Sequence, residues 1–243
     1  MTERPLYEGV LQLLGAIRGE EWTYHWALCG QEKERAGTEG APSIKELVAK
    51  ASAARRTATK LLHDLVGGQP VDPCAEPDPA DAGPAAGTWA QVHADAHNAM
   101  TGLWEAMDLV TEEQLAADAG PPRSHPQYLW RDVVILAIRG PVHGYSEWHL
   151  RAGSTFDSLA VLARWYDLTR GTKLPTKIRS DASYDLACGL ARVGRLDAAM
   201  EFLPDAFAYN DRGAVPVLKA WAREDPDLAT LRERADFRTL VGA

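Results

Sequence analysis

The stretch GPVHGYSEWHLRAG at 140–153 brings two histidines, His143 and His149, and a carboxylate, Glu147, into one short run. Imidazole nitrogens and carboxylate oxygens are the usual ligands of zinc and nickel, so the first chemistry to test is a metal site. On a helix each residue turns by 100°, which puts His149 roughly 40° from Tyr145. The apolar stripe of that helix runs through Trp130, Val134, Ala137, Ile138, Tyr145 and Trp148, with His149 at its edge. His143 and Glu147 project to the other side, so the two histidines do not readily share one ion. Pro141 qualifies the phasing, because a kink there rotates everything after it.

A second pair lies in WAQVHADAHNAM at 89–100, where His93 and His97 are four apart beside Trp89, Met100 and Trp104. Histidines at i and i+4 can hold one zinc or nickel ion if a third ligand arrives, here from His149, Glu147 or His143. The ordinary alternative is that these histidines are hydrogen-bonded packing groups at the border of an apolar face. Trp22, Trp26, Trp89, Trp104, Trp130 and Trp148 can likewise simply fill a core. Aromatics gathered around a few histidines still suggest a pocket for an apolar or planar ligand. Trp89, His93, His97, Trp104 and Trp148 are its candidate binding residues; the metal candidates are His93, His97 and His149.

Helical periodicity supplies the elements that must position these groups. Leu6, Val10, Leu13, Leu14 and Ile17 mark a first helix from about Pro5 that continues past Trp22 and Trp26. SIKE at 43–46 is a capping-box pattern, and Ile44, Leu47, Val48, Ala51, Leu62 and Leu65 follow on one face of a second helix. Residues 67–87 hold little to bury and read as a surface crossover, long enough to join helices that need not be antiparallel neighbours. A third helix starts at Thr88, and a fourth covers about Tyr128 to Arg151, interrupted by Gly140 and Pro141. A fifth, around Phe156 to Tyr166, links to the tail. With no sustained two-residue alternation, the fold class is all-α, and four amphipathic helices with one long crossover between the second and third make a four-helix bundle.

The tail differs. YDLACGLARVGRLDAAMEFLPDAF at 184–207 pairs two short helices across Gly194, and resembles the helix-turn-helix of a tetratricopeptide repeat (TPR). WAREDPDLATLRERADFRTLV at 221–241 resembles the segment that closes such units, with Trp221 and Phe237 anchoring it. One repeat cannot bury its own apolar face, so this unit must dock on the bundle or on a second subunit. The division expected is a bundle at 1–153, a linking helix and loop at 154–179, and the TPR-like tail at 180–243.

Composition narrows the function classes. The 243 residues are 46% hydrophobic and 25% charged, with a formal net charge of −8 and no long basic run. Nothing provides the electrostatic footprint of a nucleic-acid binder. Cys29, Cys74 and Cys188 are far apart and form no C-x-x-C pair, so neither a disulfide framework nor a zinc knuckle is indicated. No apolar run approaches the ~20 residues of a membrane span, and MTERPLYEGV lacks the features of a signal peptide. A cytoplasmic protein without membrane contact is expected. Arg55 and Arg56 read as a solvated face.

SIKELVAKASAARR at 43–56, followed after the crossover by a second helical pair and then VHGYSEWH at 142–149, resembles the DinB-like superfamily, nearest to its ClbS/DfsB-type four-helix bundles. Helix order, capping and crossover over residues 1–153 carry that resemblance. Metal-binding members have one histidine in the second helix and an H-x-x-x-H pair in the fourth. The positions that match are Lys50, Tyr145 and His149, so two of the three ligands are replaced, and no cofactor follows from the resemblance intact. The superfamily includes thiol-dependent transferases and isomerases that use a metal, and self-resistance proteins that hydrolyse strained electrophilic natural products without one. The second class suits this sequence better. It implies Tyr145 or Lys50 as proton donor and His149 as the group that activates water, with His93 and His97 in reserve. The expectation is therefore a protein that binds, and hydrolyses or sequesters, a small apolar electrophile in a pocket that Tyr145 and His149 share with the third helix. Two alternatives stand beside it: a non-catalytic protein that binds a partner or dimerises through its tail and bundle, and a metal- and thiol-dependent transferase with its ion moved to His93 and His97.

Overall fold

A computed structural model describes residues 5–28, 30–37, 42–72, 86–117, 119, 129–171, 176–208 and 214–242. Every element among them is helical: α1 (Pro5–Ala27), α2 (Gly30–Glu34), α3 (Ile44–Val66), α4 (Trp89–Leu109), α5 (Glu112–Ala116), α6 (Trp130–Arg151), α7 (Thr155–Arg170), α8 (Thr176–Arg192), α9 (Leu196–Phe207), α10 (Ala214–Glu224), a 3₁₀ turn (Pro226–Leu231) and α11 (Ala235–Val241). None of these helices is long and apolar enough to cross a membrane. Tyr128, Cys74 and most of the crossover lie outside the described residues.

The capping pattern determines where α3 begins. Ser43 Oγ accepts from the Glu46 amide at 3.1 Å, and Glu46 Oε2 accepts from the Ser43 amide at 2.6 Å, so two of the helix's orphan donors are satisfied reciprocally. Thr88 and Gln91 repeat the arrangement at the head of α4. Ser43→Ala is expected to cost about 1 kcal/mol of stability, measured by urea denaturation, because it orphans the Glu46 amide.

The crossover joins direct neighbours: α3 packs along α4 on one side and along α6 on the other. A helix flanked in this way must bury two faces, and α3 does so with small side chains, Ala49, Ala51, Ser52, Ala53 and Ala58. Arg55 corrects the sequence-based expectation. It is 1% exposed, because 48, 51, 55, 58 and 62 form one buried stripe and Arg55 stands on it. Arg56 pairs with Asp95 of α4 at 3.0 Å. Gly140 and Pro141 do not interrupt α6, which retains its phase, with Tyr145, Trp148 and His149 buried and His143 exposed.

One apolar cluster runs from Val10, Leu14 and Leu103 through Ile138 to Leu162 and Trp165, and on to Ala187, Leu203 and Phe237. The tail therefore docks on the N-terminal helices through α7. Gly194, at φ +78°, makes the left-handed turn between α8 and α9, and Gly189 lets α8 approach Leu162 where a Cβ would collide with it. A partly buried ion pair adds to this joint: Arg139 of α6 donates to Asp185 of α8 at 2.5 and 3.0 Å, and His143 Nε2 lies 3.1 Å from the same carboxylate. Burial pushes the Asp185 carboxyl up, but Arg139 and His143 outweigh it and hold the group below the usual carboxylate range. Glu147 contacts Arg192 of α8. Half of the histidine-rich motif thus braces the tail. Phe237 is buried, whereas Trp221 stacks on Tyr184 from the surface and remains 57% exposed, with Val217 one turn away at 48%.

Candidate functional site

Val10, Leu14 and Ile17 continue along α1 as Glu21 and Tyr24, with Leu28 just past its end, so the apolar stripe turns polar in the last turns of the helix. That polar end meets α6. Tyr24 Oη and His149 Nε2 are 2.8 Å apart, and His25 Nε2 and Tyr145 Oη are 3.1 Å apart. The two pairs are neighbours, because the Tyr24 and Tyr145 rings lie 4.8 Å apart. On the far ring nitrogen, His149 Nδ1 faces Asp157 Oδ2 at 4.0 Å. Asp157 is held by the first turn of α7, where Ser154 Oγ donates to it at 2.5 Å. Arg55 of α3 meets Glu21 at 2.5 Å.

Burial decides the protonation of this group. It pushes the Tyr145 phenol well above its ordinary value, with the Glu21 carboxylate adding to the effect, so Tyr145 stays protonated. Desolvation lowers His25 to about 4, only partly opposed by Glu21 and reinforced by His93 and Arg55. His25 is therefore a neutral imidazole at neutral pH. His93 is lowered by the same burial and by His97 beside it.

Tyr24, Tyr145, His149 and Asp157 open onto a cleft of about 430 Å³ between α1, α6 and α7. Its inner walls are apolar, formed by Ile17, Leu28, Val142, Val161, Trp165 and Leu168. At one end Glu20 and Arg164 pair across it at 2.6 Å. The dimensions are those of small-molecule pockets, which are mostly apolar with a few convergent polar groups.

The expected residues divide among five places. Tyr145 and His149 line the cleft, but the third long helix, α4, does not; α7 supplies the facing wall because α1 lies between α4 and the cleft. Lys50 is exposed, one position off the buried stripe of α3, and is not brought to the cluster. Trp89 and His93 form a second group with His25 and Trp22 on the other flank of α1, with the Trp89 and His93 rings stacked 6.1 Å apart. Trp22 rests 4.8 Å from His93 and 6.1 Å from His97, and His97 is exposed. The crevice beside them holds about 20 Å³, enough for roughly one water. Trp104 is partly buried against the main core, and Trp148 walls a separate cleft of about 320 Å³ under the Arg35 guanidinium. The side chain of Trp26 and the whole of Cys29 lie outside the described residues.

For a metal, His149 is on the opposite flank of α1 from His93 and His97. Among the described residues, the group of three donors lying within 4.8 Å of one another is Cys188, Asp225 and Asp227 in the tail. Asp225 there accepts from Tyr184 at 2.8 Å and caps the 3₁₀ turn through the Asp227 amide, and burial pushes the Cys188 thiol up. Glu21, Tyr24, His25 and Arg55 are the site residues that motif reasoning missed. Their signal was positional: each is a polar residue standing where a helical stripe calls for an apolar one.

No family model, no curated protein and no solved structure matches the chain.

Proposed function

We propose that α1, α3, α4 and α6 form a DinB-like four-helix bundle with a TPR-like tail, and that the protein binds a small, apolar, electrophilic molecule in the α1/α6/α7 cleft and hydrolyses it. The observation that supports this reading is the Tyr24–His149 hydrogen bond of 2.8 Å at the wall of an apolar cleft, with Asp157 behind the imidazole. The carboxylate favours the proton on His149 Nδ1 and leaves Nε2 as the base. On substrate entry the Tyr24 hydroxyl turns from Nε2 to the substrate, and a water that takes its place gives up a proton to Nε2 as its oxygen bonds to the electrophilic carbon. The Tyr24 phenol stabilises the charge that develops on the substrate, and His149 returns the proton to the leaving group as its bond breaks. Such proton transfers are each worth about 10²–10⁴ in rate. Tyr145, fixed by His25, shapes the cleft beside them. In this scheme His149 takes the proton-donor role expected of Lys50, and Tyr24 acts beside it as a hydrogen-bond donor.

The test uses p-nitrophenyl butyrate, an apolar activated ester, as a general electrophile. Tyr24→Phe and His149→Ala are each expected to lower kcat/KM by about 10²-fold, while Lys50→Ala leaves it unchanged. Ala160→Trp, at the exposed rim of the cleft, is expected to raise KM by filling the space. Turnover that persists undiminished in both Tyr24→Phe and His149→Ala would remove the Tyr24–His149 pair from the reaction.

A further inference from the structure

Resting on that reading of the cleft, we infer that its ligand is an apolar molecule carrying a basic amine, with the ammonium seated beside Asp157. Three carboxylates, Glu20, Glu21 and Asp157, line the cleft against a single cation, Arg164. Their pairing is uneven. Glu20 is matched by Arg164 at 2.6 Å, and Glu21 by Arg55 at 2.5 Å. Asp157 faces His149 at 4.0 Å and accepts from Ser154, and neither contact brings it a permanent positive charge.

The cleft is therefore polarised along its length. Glu20 pairs with Arg164, and Tyr24, one turn further along α1, reaches His149 and through it Asp157, nearly two turns earlier on α7. The two helices thus run in opposite directions, and the neutralised ion pair sits at one end with the surplus negative charge at the other. The walls between are apolar side chains, with the rings of Tyr24, Tyr145 and Trp165 among the lining. A ligand carboxylate would be repelled at the Asp157 end and would find Arg164 already paired at the other, within a chain of net charge −8. A primary amine on an apolar body meets apolar walls along its length and a carboxylate at its tip.

A matched fluorescent series tests this with the full chain: dansylcadaverine (ammonium), dansylamide (neutral) and dansylglycine (carboxylate), titrated at neutral pH and low salt. Dansylcadaverine is expected to bind at least about tenfold more tightly than dansylglycine, which corresponds to about 1.4 kcal/mol. Asp157→Asn should reduce that ratio to about threefold or less, while Glu105→Gln on the exposed face of α4 leaves it intact, and added salt should narrow it. Ala160→Trp should weaken all three probes alike. Equal binding of the three probes, or a preference that survives Asp157→Asn, overturns the amine assignment and leaves the cleft reading standing. Binding of none of them, or binding indifferent to Ala160→Trp, overturns both.

Discussion

Replacing Arg55 with alanine should destabilise the folded chain by about 3–5 kcal/mol, the cost of leaving a buried charge without its partner. Arg55 is 1% exposed, and its guanidinium meets Glu21 at 2.5 Å, whose side chain is only 14% exposed. Removing the guanidinium leaves the Glu21 carboxylate against Tyr145 and His25, in surroundings that already disfavour charge. For a chain of this size the loss corresponds to a fall in melting temperature on the order of 10 °C. The double variant Glu21→Met, Arg55→Met should recover most of it, since two packed apolar side chains need no compensation. Urea denaturation of wild type, Arg55→Ala and the double variant provides the measurement. A single variant within about 1 kcal/mol of wild type would mean that water already solvates Glu21 through the cleft.

His25 should make stability fall as the solution is acidified. Its ordinary value is 6.5, and burial lowers it to about 4 in the folded chain. Between those two values the unfolded chain binds a proton that the folded chain refuses, so stability rises with pH across that window and is lost as pH falls through it. Below about pH 4 both states are protonated and this residue adds no further loss. The full span is worth about 3 kcal/mol. His93 is shifted the same way, and carboxylates contribute as well, so the readout is the difference between wild type and His25→Gln. Wild type should lose more stability than His25→Gln from about pH 6.5 down to pH 4, and the two curves should run parallel on either side of that window. Curves parallel throughout would show that His25 is accessible to water in the native state.

The phasing of α6 was legible in the sequence because a helix has a fixed turn per residue. That rule alone separated His149, turned inward, from His143 and Glu147, turned outward, and the structure gives the two sets different neighbours. The same rule held Arg55, Glu21 and His25 in plain view at buried positions of α3 and α1. Reading Arg55 as part of a solvated face by type obscured it, although a polar residue on an apolar stripe is the more informative observation.

Local chemistry therefore determined much of this protein: an all-helical chain, the capped starts of α3 and α4, the turn at Gly194, and which face of each helix turns inward. Those follow from interactions a few residues apart, namely hydrogen bonds to helix ends, backbone dihedrals and side-chain periodicity. Only the tertiary structure decided which inward faces meet. It placed α1 between His93 and His149, divided the aromatic residues among separate crevices and a core, and brought α7 across from Tyr24 to complete the cleft. The reason is that partner choice depends on shape and volume summed over whole faces, such as the row of alanines that seats α3 between α4 and α6, and periodicity records that a face is buried but not what covers it.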